Sequence, residues 1–278
     1  MRQLILGGAQ FGDSYGKFIQ ITKLLPENLE TLLRYSFETG ISQIDLALNY
    51  ANADKNLAGT RMAQSFSYST KFSYKMGLED EIVKLLVSQR KLIGIESFSV
   101  IFIHNWFELS NLDQKGAISL LNNLVNMGLT KKAGISVYSV HEIEDFDSGI
   151  NVIQAPLSFI NRQFLNSGRA MELKSGGVEF QARSIFHQGL LLNPSQRIYE
   201  KFPEIEGFFK YCATNNLKIL QAALSVFDNQ DLFSSLLVGA AGIDQLKEIV
   251  DTPILISNIL EETSNLNFST GFSDPRTW

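Results

Sequence analysis

Asp45, Tyr50, Lys71 and His104 are the side chains of this sequence whose types and succession suit a shared chemistry. A tyrosine hydroxyl ordinarily titrates near ~10, so at neutral pH it is a poor acid or base without help. A neighbouring ammonium favours the phenolate and lowers that pKa. Lys71 could supply the charge, with Asp45 holding Lys71 in place and compensating its burial. His104 could hydrogen-bond a substrate oxygen or relay a proton. The set fits a tuned tyrosine acid–base facing a carbonyl or an alcohol. It contains no reducing group of its own, so a reduction would need a bound hydride donor. Lys71 alone leaves another chemistry open, the Schiff-base amine of a lyase or isomerase.

Short β-rich runs carry these residues. They span Gln3 to Leu6, Ser42 to Leu46, Tyr68 to Lys71, Ser99 to Ile103, Lys132 to Ser136, Val152 to Ala155, Val178 to Ala182 and Ser235 to Val238. Most are nearly continuous apolar runs, as parallel strands covered on both faces require. Amphipathic helical segments alternate with them. Pro26 suits a first helical turn, Leu29, Leu32, Leu33 and Phe37 form one stripe, and Gly40 can close the helix in a left-handed conformation. Ser139 to Glu142 has capping-box spacing, which predicts a helix start. Eight such strands with helical crossovers, no linker and no repeat predict an α/β fold, a single (β/α)₈ TIM barrel over residues 1–278. An open doubly wound sheet is the alternative. In a barrel, chemistry sits at the C-terminal ends of strands. Asp45 ends the second run with Tyr50 just beyond it, Lys71 ends the third, and His104 follows the fourth.

Composition excludes several other classes. The chain has 278 residues, 45% apolar and 19% charged, a length and balance suited to one large core. Its formal charge of −5 shows no bias towards nucleic acid or an anionic membrane. One cysteine, Cys212, cannot form an internal disulfide. No charge-free stretch suits a spanning helix, and the first residues are too poor in apolar side chains for a secretory signal. A soluble, cytoplasmic protein of undetermined oligomeric state is expected, with neither nucleic acid nor membrane as partner.

Further segments carry a family resemblance. Gly8-Ala9-Gln10-Phe11-Gly12, Ile44-Asp45-Leu46-Ala47 with Tyr50, Thr70-Lys71, Ile103-His104-Asn105, Gly134-Ile135-Ser136, Ile153-Gln154-Ala155-Pro156 and Val238-Gly239-Ala240 resemble, in order, the signatures of the aldo-keto reductases. The resemblance implies NADPH- or NADH-dependent reduction of an aldehyde or ketone on a (β/α)₈ barrel. It implies Tyr50 as general acid, Lys71 lowering its pKa, Asp45 pairing with Lys71, and His104 orienting the carbonyl. It assigns Ser136 and Gln154 to the nicotinamide carboxamide. Cofactor phosphates are expected near Ser184 to Gly189 and near Gly239 to Gly242, with Ala240, Gln245 and Glu248 beside them at a helix start whose free amides suit an anion. The segment Arg183 to Leu190 resembles a bacterial branch often encoded with surface-polysaccharide pathways.

Departures from the family pattern refine these expectations. Val137 stands where an asparagine often follows the serine, and Arg183 replaces the ring that stacks on the nicotinamide. The stretch Asn105 to Leu112 is short for a substrate loop. With Asn49, Asn105 and Trp106 as candidate substrate contacts, it predicts an open, wet pocket for a small polar carbonyl compound. After the eighth strand, Ala241 and Gln245 stand where a basic residue would grip a 2′-phosphate, with Asp244 and Glu248 adding like charge. A weak NADPH preference, with NADH tolerated or favoured, follows.

Blander readings win elsewhere. His141 reads as an early helical residue, His187 as loop packing, Cys212 as a small buried hydrophobe and Phe208-Phe209 as core. Three scattered histidines and one cysteine give no metal-ligand spacing. A catalytically slow, cofactor-binding subunit for sensing or interaction remains a rival to the enzyme.

Overall fold

Eight short strands pair in chain order, each parallel to the next, and the last closes back onto the first. They are β1 (Leu4–Gly7), β2 (Gln43–Asp45), β3 (Ser67–Phe72), β4 (Phe98–Ile103), β5 (Thr130–Ser136), β6 (Val152–Pro156), β7 (Glu179–Arg183) and β8 (Ser235–Val238). Closure sets Leu4, Ile5 and Leu6 of β1 against Leu236, Leu237 and Val238 of β8. The eighth predicted run coincides with β8, and the other seven differ from their strands by a residue or two at their ends. The (β/α)₈ TIM barrel is thereby realised, and the open sheet is excluded. The computed structural model describes residues 2–12, 24–145, 149–193, 195, 200 and 202–266.

Inside the barrel, Val100, Phe102 and Val152 form a small apolar cluster separate from the main core. Gly134 on β5 makes room for it, because a Cβ there would lie 2.4 Å from a Phe102 ring carbon. Next to Phe102 the interior turns polar: Lys71 Nζ is 5.7 Å from its ring centroid. Asp45, Ser69, Lys71, Gln154 and Gln181 are all buried there.

Helices cover the outside. They are α1 (Pro26–Glu38), α2 (Ala53–Ala58), α3 (Glu79–Ile93), α4 (Asn111–Asn126), α5 (Gly168–Ser175), α6 (Glu206–Thr214), α7 (Ile219–Asp228), α8 (Ile243–Asp251) and α9 (Ile259–Glu262). On α1, Leu29, Leu32 and Leu33 are buried and Gly40 has φ +87° just past the helix, as its position predicts. Phe37 does not join the buried stripe; it is 47% exposed and meets Phe66 edge-on at its margin.

The capping box at Ser139 and Glu142 forms, yet it starts only a single 3₁₀ turn, Val140–Ile143. Within that turn the Glu142 carbonyl accepts from the Trp106 indole N–H at 3.1 Å. At the other face of the barrel, Arg2 forks onto Asp228 at the end of α7 through two hydrogen bonds of 2.7 and 2.6 Å. It also donates to the Thr252 carbonyl just beyond α8 at 2.6 Å.

Candidate active site

A cavity of about 670 Å³ opens at the C-terminal ends of the strands. Asp45, Tyr50, Lys71 and His104 all line it, together with Ser136, Gln154, Arg183, Ser184, Gly189, Gly239, Gln245 and Glu248. Parallel register explains how distant stretches of chain converge. Asp45 pairs with Ser69 on β3, Lys71 with Phe102 on β4, and Ser136 with Gln154 across β5 and β6.

The deepest part is an ion pair. Lys71 Nζ donates to Asp45 Oδ2, and both side chains are 3% exposed. The other carboxylate oxygen accepts from Ser69 Oγ at 2.8 Å and from Gln154 Nε2 at 3.3 Å. Burial pulls the Lys71 pKa below its ordinary value; Asp45 opposes that shift, and Arg183 adds to it. Lys71 Nζ lies 5.9 Å from the Tyr50 ring centroid. The ring of Tyr50 in turn meets His104 edge-on, with centroids 6.4 Å apart. His104 is pushed down to about 4, first by burial and then by the charges of Lys71 and Arg183. At neutral pH it is therefore a neutral imidazole, a hydrogen-bonding group rather than a cation.

Four buried polar atoms on the cavity wall have no hydrogen-bond partner: Gln10 Oε1, Gln154 Oε1, Arg183 Nε and Gln188 Oε1. Such atoms are costly unless a ligand or water completes them. Gln154 is fully buried, and its free oxygen suits an amide donor such as a nicotinamide carboxamide. The loop that follows β7 is strained as well. Ser184, His187 and Gln188 hold φ of 63°, 50° and 55°, a region unfavourable for side chains other than glycine. These features fit a nicotinamide dinucleotide. Ser136, Gln154 and Arg183 would surround its ring, and the loops at Ser184–Gly189 and Gly239–Gln245 its phosphates.

Some expected contacts lie elsewhere. Asn105 clamps the backbone of Tyr74, accepting from its N–H at 2.8 Å and donating to its carbonyl at 3.2 Å. Trp106 is 2% exposed and packed in the core, Ala240 is fully buried, and Asn49 is exposed to solvent. None of these four lines the cavity. Phe186 and Gln188 line it from within the expected Ser184 to Gly189 segment, and Gln10, Tyr138, Ile219 and Leu220 line it without having been singled out. Gln10 and Tyr138 follow strand ends, a position that could have flagged them. Ile219 and Leu220 start α7 and carry no local signal. His187 is buried in its loop, Cys212 is buried on α6, Phe208 and Phe209 pack in the core, and His141 pairs with Glu144 at the surface. Among the described residues no group of histidine, cysteine and carboxylate side chains could hold a metal ion, and no helix is long and apolar enough to cross a membrane.

Comparison with known proteins agrees with this arrangement. Residues 3–253 match the sequence pattern of the Aldo/keto reductase family. The chain is 26% identical over 293 aligned positions to L-glyceraldehyde 3-phosphate reductase of Escherichia coli strain K12, covering 88% of this chain and 81% of that protein. Its fold is similar to that of the aldo-keto reductase AKR11C1 from Bacillus halodurans in its holo form. The TM-score is 0.74 at 17% identity, over 96% of this chain and 93% of the other.

Proposed function

The chain belongs to the aldo/keto reductase family and is an NAD(P)H-dependent oxidoreductase, and from that premise we propose that it reduces a small, polar aldehyde or ketone with Tyr50 as the proton donor. One observation carries the reading: the buried Lys71–Asp45 pair sits beside Tyr50 at the wall of the cavity that also holds His104. When bound, a nicotinamide cofactor would be the source of the hydride that the carbonyl carbon accepts. The residues of the chain manage the oxygen. Tyr50 donates its hydroxyl proton to the oxygen as charge develops there, and the Lys71 ammonium stabilises the phenolate left behind. Asp45 keeps Lys71 charged and fixed. His104, neutral, offers an N–H to the same oxygen and orients it.

Gln154 and Ser136 would hold the carboxamide, and the loops after β7 and β8 would hold the phosphates. No basic side chain among the described residues lines the cavity near Gln245 and Glu248. Lys247, the nearby cation, lies over the Tyr35 ring of α1 instead, 5.7 Å from its centroid. A 2′-phosphate would meet the Glu248 carboxylate there, so NADH is tolerated or favoured.

Substrate size follows from the short loop over the site. Only Asn105 to Ser110 separate β4 and its His104 from α4, and a 3₁₀ turn, Trp106–Glu108, fills half of that. The similarity to a reductase named for L-glyceraldehyde 3-phosphate supports a short hydroxylated aldehyde. The commitment of Lys71 to Asp45 and to the Leu46 carbonyl, at 3% exposure, weighs against its use as a Schiff-base amine.

Steady-state oxidation of reduced cofactor with short hydroxy-aldehydes and with bulky apolar ketones tests the proposal. Many turnovers with the hydroxy-aldehydes are expected. Cofactor binding without multiple turnover would favour a sensing or interaction subunit, and a borohydride-trapped lysine adduct would favour a lyase or isomerase.

A further inference from the structure

Arg183, at the end of β7, has no carboxylate in ion-pair contact among the described residues. Its guanidinium lies on the Tyr138 ring, 4.1 Å from the centroid. It donates to the Val137 carbonyl at 2.7 Å and to the Ser184 hydroxyl at 3.3 Å, both neutral partners. Asp45, the acid nearest the reacting groups, is already matched by Lys71. This inner end of the cavity, counting Asp45, Lys71 and Arg183, therefore holds about one net positive charge. The effect is felt across the site, because Arg183 contributes to lowering both Lys71 and His104.

Register puts that charge beside the nicotinamide, if the cofactor reading above holds. Ser136 pairs with Gln154 across β5 and β6, and Gln154 presents a buried oxygen without a partner. Val137, to which Arg183 is bonded, is the very next residue after Ser136. A carboxamide seated on Ser136 and Gln154 thus brings its ring against the guanidinium. One face of the guanidinium lies on Tyr138, and Arg183 also lines the cavity, so the ring would meet it from the cavity side.

We propose that Arg183 makes the site discriminate between the oxidation states of the nicotinamide, holding the neutral dihydro form and rejecting the cationic pyridinium form. A planar guanidinium stacks well on a neutral ring. Against a cationic ring it repels, and two like charges a few ångströms apart in a partly desolvated cavity change a binding constant by about an order of magnitude or more. The overall equilibrium of the reaction is unchanged by this. What changes is occupancy: in a mixed pool the site fills with the reduced form, and the oxidised product leaves readily.

The experiment is calorimetric titration of the full-length chain with NADH and NAD⁺, and separately with NADPH and NADP⁺. For at least one pair, the reduced form is expected to bind about tenfold or more tightly than the oxidised form. Arg183→Met keeps the stem and removes the charge, so it should bring the ratio close to unity, mainly by tightening the oxidised form. Should that variant fail to fold, Arg183→Gln serves the same purpose. Equal binding of both forms by the unaltered chain, or an unchanged ratio in the neutral variant, would overturn this inference alone. A chain that binds no form of either dinucleotide would overturn the nicotinamide reading and this inference with it.

Discussion

Lys71 and Asp45 hold each other in a site that is 3% exposed at both side chains, and Asp45 spends its second oxygen on Ser69 and Gln154. Burying two charges this way is costly, and removing one partner strands the other. Lys71→Met is therefore expected to abolish most turnover and also to destabilise the fold by about 3–5 kcal/mol. The double variant Lys71→Met with Asp45→Asn should recover part of that stability while remaining inactive. Urea unfolding of the unaltered chain, the two single variants and the double variant measures it. Additive losses in the double variant would mean that the two groups do not act as a pair.

His104 makes stability depend on pH in a definite direction. Its folded value of about 4 lies below the ordinary 6.5, so between these values the unfolded chain binds the proton more readily. The contribution is whole above the ordinary value and is lost as pH falls from about 6.5 to 4. The full difference is on the order of 3 kcal/mol. His104→Gln should flatten this part of the stability profile, read by urea unfolding just above the window and at its foot, at about pH 7 and about pH 4. An identical slope in the variant would assign the dependence to other groups.

Cofactor preference is expected to depend on the start of α8. With Glu248 at the cavity wall and Lys247 turned to Tyr35, NADPH should bind no more than a few-fold tighter than NADH. Glu248→Arg should shift the balance towards NADPH, by supplying a charge-assisted partner for the phosphate. Dissociation constants at low and high salt measure both. NADPH binding a hundredfold or more tighter than NADH to the unaltered chain, a gap of about 2.7 kcal/mol, would contradict it.

Far from the cavity, Arg2 ties the start of β1 to the ends of α7 and α8 through Asp228 and the Thr252 carbonyl. Both side chains of the ion pair are buried, 5% and 1% exposed. Arg2→Ala should lower stability by about 3–5 kcal/mol, because Asp228 is left charged and without its fork. Turnover per folded molecule should be unaffected. A loss below 1 kcal/mol in chemical denaturation would show that the clamp contributes little.

The barrel was legible because its strands are apolar on both faces and its helices carry ordinary stripes and stops. The four candidate residues were legible because Asp45, Lys71 and His104 stand at or beside strand ends that register brings together, with Tyr50 in the loop after β2. Other features depend on contacts that no local pattern reveals. Asn105 has the right position for a substrate contact, but the Tyr74 backbone takes both ends of its amide. Trp106 follows directly and turns inward to the Glu142 carbonyl. The capping box predicts a helix start, and the described residues after it form the 3₁₀ turn Val140–Ile143. Ile219 and Leu220 reach the cavity only because α7 packs beside the loop after β7, a tertiary fact.

The most direct test of the account is Tyr50→Phe, which removes one oxygen atom and keeps the ring against His104. Turnover of the best short hydroxy-aldehyde and the dissociation constant of the reduced cofactor are measured side by side in the variant and the unaltered chain. Because the hydroxyl serves the transition state, kcat should fall by about a hundredfold or more while cofactor binding changes little. Near-normal kcat in the variant on every substrate that the unaltered chain reduces would contradict the account.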